Sequence, residues 1–180
     1  MSQQADAVAL WLVPAAPWHE RFGQLISELA QRFEGTVFEP HITLHVGTLG
    51  DTPSVCARLA ALAGSCAPLT LTCGQTMHGE EHFKTLFVVF DDRRLQVMHD
   101  ALLTASGLQG DYDLRPHLSL LYRGGLHLAE REHLAATYRF DRKEVTFDEI
   151  VLVRPDTPGG DLFDIGRLDT TQRHRLTGRP

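Results

Sequence analysis

Two hydrophobic rhythms alternate along the chain. Residues 8–13 (VALWLV) form an unbroken apolar run ended by Pro14, the pattern of a buried strand. From Trp18 the period changes. Trp18, Phe22, Leu25, Ile26, Leu29 and Phe33 recur at helical spacing, with Glu20, Arg21, Glu28 and Arg32 on the other faces and Gly35 as the stop. Residues 36–47 are rich in Thr, Val, Phe and Ile, but Pro40 interrupts them, so a strand is expected over 41–46. Gly50 to Pro53 reads as a turn and helix start, continued by Val55, Leu59 and Leu62 to Gly64. Residues 69–76 and 83–90 read as the two strands of a hairpin. Asp91 is placed to cap a helix striped by Leu95, Met98, Leu102 and Ala105. A strand over 114–122, a helix over 127–138 and strands over 145–153 and 162–168 complete the reading. The tail, 171–180, is polar and basic and is expected to be flexible.

Helices and strands thus interleave with no linker between them, which predicts a mixed helix–strand fold in one domain over 1–180. At 43% hydrophobic residues the chain can build a core without covalent staples. Its three cysteines, Cys56, Cys66 and Cys73, are odd in number and form no CxxC pair, which argues against a disulfide framework or zinc knuckle and for a reducing, cytoplasmic setting. No apolar run approaches the length of a membrane span. The apolar stretch 7–16 follows Asp6, and the first basic side chain is Arg21, the reverse of a secretory signal. A formal charge of −6 disfavours a non-specific grip on long nucleic acid, yet leaves room for a locally positive pocket that takes a small anion.

The chemistry is concentrated in a repeat. Pro40-His41-Ile42-Thr43-Leu44 and Pro116-His117-Leu118-Ser119-Leu120 share the order proline, histidine, aliphatic, hydroxyl, leucine, one copy in each half of the chain. This suggests an internal repeat and a pseudo-twofold arrangement. On a strand, side chains at i and i+2 share a face, so each copy sets an imidazole beside a hydroxyl and packs its aliphatic residues behind them. Two imidazoles can flank one phosphate, one as base and one as acid, because histidine titrates near neutrality. The hydroxyls can then hold the non-bridging oxygens. This scheme calls for no metal and no cofactor.

These paired segments resemble the two-histidine phosphoesterase superfamily. Glu39 to Leu44 and Pro116 to Tyr122 are similar in particular to its cyclic phosphodiesterase branch. The resemblance implies a bilobal α+β fold, with two antiparallel sheets facing a central groove and helices on the outer faces. It implies hydrolysis of a small cyclic phosphodiester, a 2′,3′-cyclic nucleotide or ADP-ribose 1″,2″-cyclic phosphate, to a monophosphate ester. It makes His41 and His117 the catalytic pair, with Thr43 and Ser119 on the phosphate. Tyr122 matches a family tyrosine at the phosphate, although strand parity alone would turn it away from His117 unless the strand ends or bulges near Leu121. His45 departs from the branch. On a strand it lies about 13 Å from His41, too far to share a metal, and a place at the groove rim is expected.

Trp11 could stack a base or ribose, or simply pack in the core. Phe83 and Lys84 fit a surface or core role better than a substrate contact. His78 and His82, with Glu80 and Glu81, read as solvated loop residues rather than a metal site. The expected partners are a small cyclic phosphate, or RNA 3′ ends, with no membrane, and the chain is expected to act as a monomer. Two rival functions stand beside the leading one: an RNA-end-processing 2′-5′ ligase or phosphodiesterase of the same superfamily, and a nucleotide-binding module without chemistry.

Overall fold

The computed structural model of the chain describes residues 6–49, 52–157, 160–162 and 164–179. In chain order the elements are β1 (Asp6–Pro14), α1 (Trp18–Phe33), β2 (Ile42–Leu49), α2 (Thr52–Ser65), β3 (Leu69–Thr72), β4 (Thr76–His78), β5 (Leu86–Val89), α3 (Arg93–Ser106), β6 (His117–Leu121), α4 (Leu128–Thr137), β7 (Glu144–Pro155) and β8 (Leu168–Arg175). The strands run antiparallel in the order β3-β7-β1-β2-β6-β5-β4, with β8 also paired to β7. The two halves of this path meet at one residue pair, Ile42 with Leu118. The two expected sheets are therefore joined along a single seam into one curled α+β layer.

The run VALWLV lacks alternation because β1 is central and buried on both faces. Val8, Leu10 and Leu12 point into the main core, with Phe22 and Leu29 of α1, Leu59 of α2, and Leu95 and Leu102 of α3. Ala9, Trp11 and Val13 point the other way, onto Val151 and Val153 of β7. Helix α1 stops where the pattern places its end, but the left-handed residue is Glu34, with φ 54°. Gly35 meets a different demand: a Cβ there would stand 2.8 Å from the carbonyl oxygen of Tyr122.

Four local expectations are corrected. Residues 69–76 do not form one arm of a hairpin with 83–90. The chain changes partners at Cys73 and Gly74: the Cys73 N–H donates to the Lys143 carbonyl, and the Gly74 N–H to that of Val89, each at 2.8 Å. So β3 pairs with β7, and the short β4 pairs with β5. The cap of α3 is Asp92, not Asp91; its carboxylate accepts from the Arg94 N–H at 2.9 Å. The last strand starts at Leu168, after a 3-10 turn over Ile165–Arg167, instead of spanning 162–168. Nor are the described residues 171–179 a loose tail. Residues 171–175 complete β8, and the backbone N–H groups of Leu176, Thr177 and Gly178 donate to the carbonyls of Asp148, Ala63 and Cys66. The strand escapes a hydrophobic-pattern reading because ion pairs rather than apolar contacts hold much of its face. Among the described residues no helix is long and apolar enough to cross a membrane.

Candidate active site

The seam between the halves is where the repeated motifs meet. With Ile42 paired to Leu118, the antiparallel register sets His41 across from Ser119 and Thr43 across from His117. The histidines lie on the diagonal of this four-residue patch, and diagonal neighbours across antiparallel strands are about 7–8 Å apart. Ile42, Leu44, Leu118 and Leu120 are fully buried behind it.

Both strands bulge at the same place in the motif. On β2 the partners of Leu10 and Trp11 are His45 and Thr43, which leaves Leu44 as the extra residue. On β6 the partners of Leu86 and Phe87 are Leu121 and Ser119, which leaves Leu120 extra. A bulge inverts the facing of the residues beyond it. The residue five after each histidine, Val46 in one copy and Tyr122 in the other, therefore lines the cleft. This is the condition under which the sequence could bring Tyr122 to the groove. The same inversion takes His45 away from the groove rim. Its side chain is fully buried near His99 of α3 and Tyr112, at ring separations of 5.6 and 5.9 Å.

Each histidine is anchored in the same way. Nδ1 of His41 lies 2.6 Å from the Glu39 carbonyl oxygen, and Nδ1 of His117 lies 2.6 Å from that of Arg115. A carbonyl oxygen can only accept, so each Nδ1 carries the proton and donates it, leaving Nε2 as the basic nitrogen. The proline between carbonyl and ring keeps the preceding residue extended and so limits where that carbonyl points. Trp11 stacks on His41, with ring centroids 3.8 Å apart and planes 12° from parallel, so one face of its indole is taken by the imidazole.

A cleft of about 330 Å³ opens here. Its wall includes Trp11, His41, Thr43, Phe83, Lys84 and Tyr122. His117 and Ser119 adjoin it on β6: Ser119 Oγ donates to the Phe83 carbonyl at 2.8 Å, and the ring of His117 meets the edge of Phe87 at 5.3 Å. Tyr122 is itself stacked on Phe38, with centroids 3.7 Å apart. Sequence reading underrates Phe83 and Lys84, because a 3-10 turn over His82–Lys84, rather than a strand, carries them to the cleft. Among the described residues Lys84 is the one lysine or arginine in this wall, and it pairs with Glu81 at 3.2 Å. His82 Nδ1 accepts from the Gly124 N–H, and no cluster of three metal-ligating side chains occurs among the described residues. Two larger open depressions, about 610 and 540 Å³, contain neither motif histidine.

The electrostatics distinguish the two rings. Burial pushes the imidazole of His41 down to about 4; the Glu39 carbonyl bond and carboxylate oppose this, and the neighbouring His117 adds to it. Burial also lowers His117, with the Arg115 carbonyl acting in the opposite direction, Lys84 adding to the drop and Glu81 opposing it. Burial drives the Tyr122 phenol well above its usual range, so it stays a neutral hydrogen-bond donor.

The site is thus a curled antiparallel sheet with two imidazoles, held as the same tautomer, on one seam. The sequence profile of the 2′-5′ RNA ligase superfamily matches residues 13–159, and the chain belongs to this superfamily of two-histidine phosphoesterases. Its fold is similar to that of TT0787 of Thermus thermophilus, with a TM-score of 0.62, 15% identity, and coverage of 97% of this chain and 100% of that one. It is also similar to E. coli LigT complexed with 3′-AMP, with a TM-score of 0.60, 16% identity, and coverage of 97% and 99%. LigT has further been crystallised with NADP+, at a TM-score of 0.60, 15% identity and the same coverage. No curated protein sequence matches the chain.

Proposed function

We propose that the protein hydrolyses a small cyclic phosphodiester, a 2′,3′-cyclic nucleotide or ADP-ribose 1″,2″-cyclic phosphate, to a monophosphate ester. The observation that carries this reading is the diagonal pair of imidazoles, each with Nδ1 tied to a carbonyl and Nε2 left for chemistry. His41, the more strongly depressed ring, is the neutral member and takes a proton from the attacking water. The water oxygen bonds to phosphorus, one ring P–O bond breaks, and His117 donates its Nε2 proton to the departing oxygen. Thr43 and Tyr122 hold the non-bridging oxygens, joined by Ser119 once it exchanges its bond to Phe83. Lys84 offsets the phosphate charge. None of these steps requires a metal or cofactor. The complexes of the structurally similar LigT with 3′-AMP and NADP+ support a nucleotide as the ligand class.

The cleft, about 330 Å³ with one cationic wall residue among the described residues, is at the small end of ligand pockets and suits one nucleoside phosphate better than an RNA strand. Product analysis on a panel of cyclic nucleotides, cyclic ADP-ribose phosphate and RNA with cyclic or 2′-5′ ends tests the reading. Turnover of the small cyclic compounds to monophosphates is expected. Turnover of RNA alone would transfer the site to end processing, and tight binding of a monophosphate with no turnover of anything would make it a binding module.

The pH dependence comes from the two depressed rings. In the free enzyme kcat/KM rises as His41 loses its proton, near pH 4, and falls as His117 loses its own, below the ordinary histidine value of 6.5. The optimum of kcat/KM is therefore acidic. A bound phosphate anion favours both imidazolium forms, so the limbs of the kcat profile lie at higher pH. A kcat/KM optimum on the alkaline side of neutrality would contradict the assignment.

A further inference from the structure

The motif histidines are held alike at Nδ1 but differ one step further out. The carbonyl under His117 belongs to Arg115, whose guanidinium pairs with Asp113 in open solvent, the two side chains being 77% and 76% exposed. The carbonyl under His41 belongs to Glu39, and its carboxylate is gripped. Arg173 Nη2 donates to both of its oxygens, at 2.7 and 2.6 Å, and His19 Nε2 stands 3.2 Å from Oε1. Arg173 is held in turn by Glu149 of β7, Nη1 to Oε2 at 3.0 Å. Glu39 and Glu149 are 20% and 18% exposed, while Arg173 between them is 39% exposed and lines an open depression, so the clamp is held by its bidentate geometry and its second carboxylate rather than by burial.

We propose that Arg173 of β8 is a positioning residue for His41: by clamping the Glu39 side chain it fixes the peptide whose carbonyl takes the His41 Nδ1 proton. Pro40 confines the Glu39 backbone to an extended region, but ψ of Glu39 can still swing the carbonyl within it. Anchoring the far end of the side chain in β8 removes that freedom. Trp11 cannot do this. Stacking holds the plane of the imidazole but does not distinguish the two orientations of the ring within that plane, whereas the carbonyl does. The strand that hydrophobic patterning misses thus carries the residue that steadies the carbonyl on which the His41 tautomer depends.

The kinetic consequence rests on the two-histidine reading above, so the test has one readout independent of turnover. Long-range 1H–15N spectra report the tautomer of each ring. In the wild type both His41 and His117 should be Nδ1–H. In Arg173→Met, His41 should become a tautomer mixture while His117 stays unchanged as an internal control. With a cyclic nucleotide, kcat should fall about tenfold with KM within about twofold, the signature of a misplaced group rather than lost binding. Arg173→Lys, which keeps a cation between Glu39 and Glu149, should leave His41 mainly Nδ1–H. An unchanged His41 tautomer in Arg173→Met, or equal disturbance of both rings, overturns the proposal. If the wild type turns over no cyclic phosphate, the functional reading fails, and the two tautomers alone decide the clamp.

Discussion

His41→Ala and His117→Ala should each lower kcat/KM on a cyclic nucleotide by about 10²–10⁴-fold, the range that a general acid or base contributes. The two losses should separate when the leaving group is changed. A p-nitrophenyl phosphodiester expels an anion that needs no proton. On that substrate His117→Ala should recover most of its deficit, whereas His41→Ala, which lacks the group that activates water, should keep its full loss. The opposite pattern would exchange the two roles, and equal recovery of both would remove the acid–base division. Because His41 is buried against Trp11, His41→Gln is the companion variant that fills the space. Near-ultraviolet circular dichroism establishes that each protein compared is folded.

The second large effect is on stability. Gly47 lies just after the first motif, and its Cα hydrogen faces the loop that leads to the second. A Cβ at this position would run into the Gln109 carbonyl oxygen and stand 2.6 Å from Nε2 of His45. Neither can yield easily. Gln109 is tied to Thr48 by two backbone bonds, of 2.8 and 3.2 Å, and His45 is fully buried. Gly47→Ala should therefore cost about 1–3 kcal/mol, as overpacking typically does, and lower Tm by roughly 3–10 °C for a domain of this size. The strain is passed to the segment that carries Tyr112 of the cleft wall and ends at His117, so kcat should fall as well. Gly23→Ala is the control. It lies in α1 with no atom within 4 Å of the added carbon, and should leave stability equal or raised. Equal melting temperatures for Gly47→Ala and wild type would show that the loop and β2 are not held at this distance.

Much of the architecture was open to a reading of pattern alone. Helix α1 and strands β1, β2, β6 and β7 fall where the hydrophobic periods place them, because each presents a continuous apolar face to the core. The reading fails where a different force holds the backbone. Strand β8 carries Arg173 and Arg175 against Glu149, and such pairs have no hydrophobic period to detect. The break at Cys73 and Gly74 is equally silent, since it concerns which partner accepts a hydrogen bond rather than whether the run is extended.

The amino-acid order by itself determined the chemistry on offer: two proline-histidine strands, each with a hydroxyl two residues on and leucines behind. Local sterics and a period of two are enough for that. Folding decided what the order cannot encode locally. It brought the two copies onto one seam through the pair Ile42–Leu118, and it placed a bulge at Leu44 and at Leu120, which sent His45 into the core and Tyr122 into the cleft. A bulge arises from how two strands share their hydrogen bonds, and neither strand specifies it without its partner.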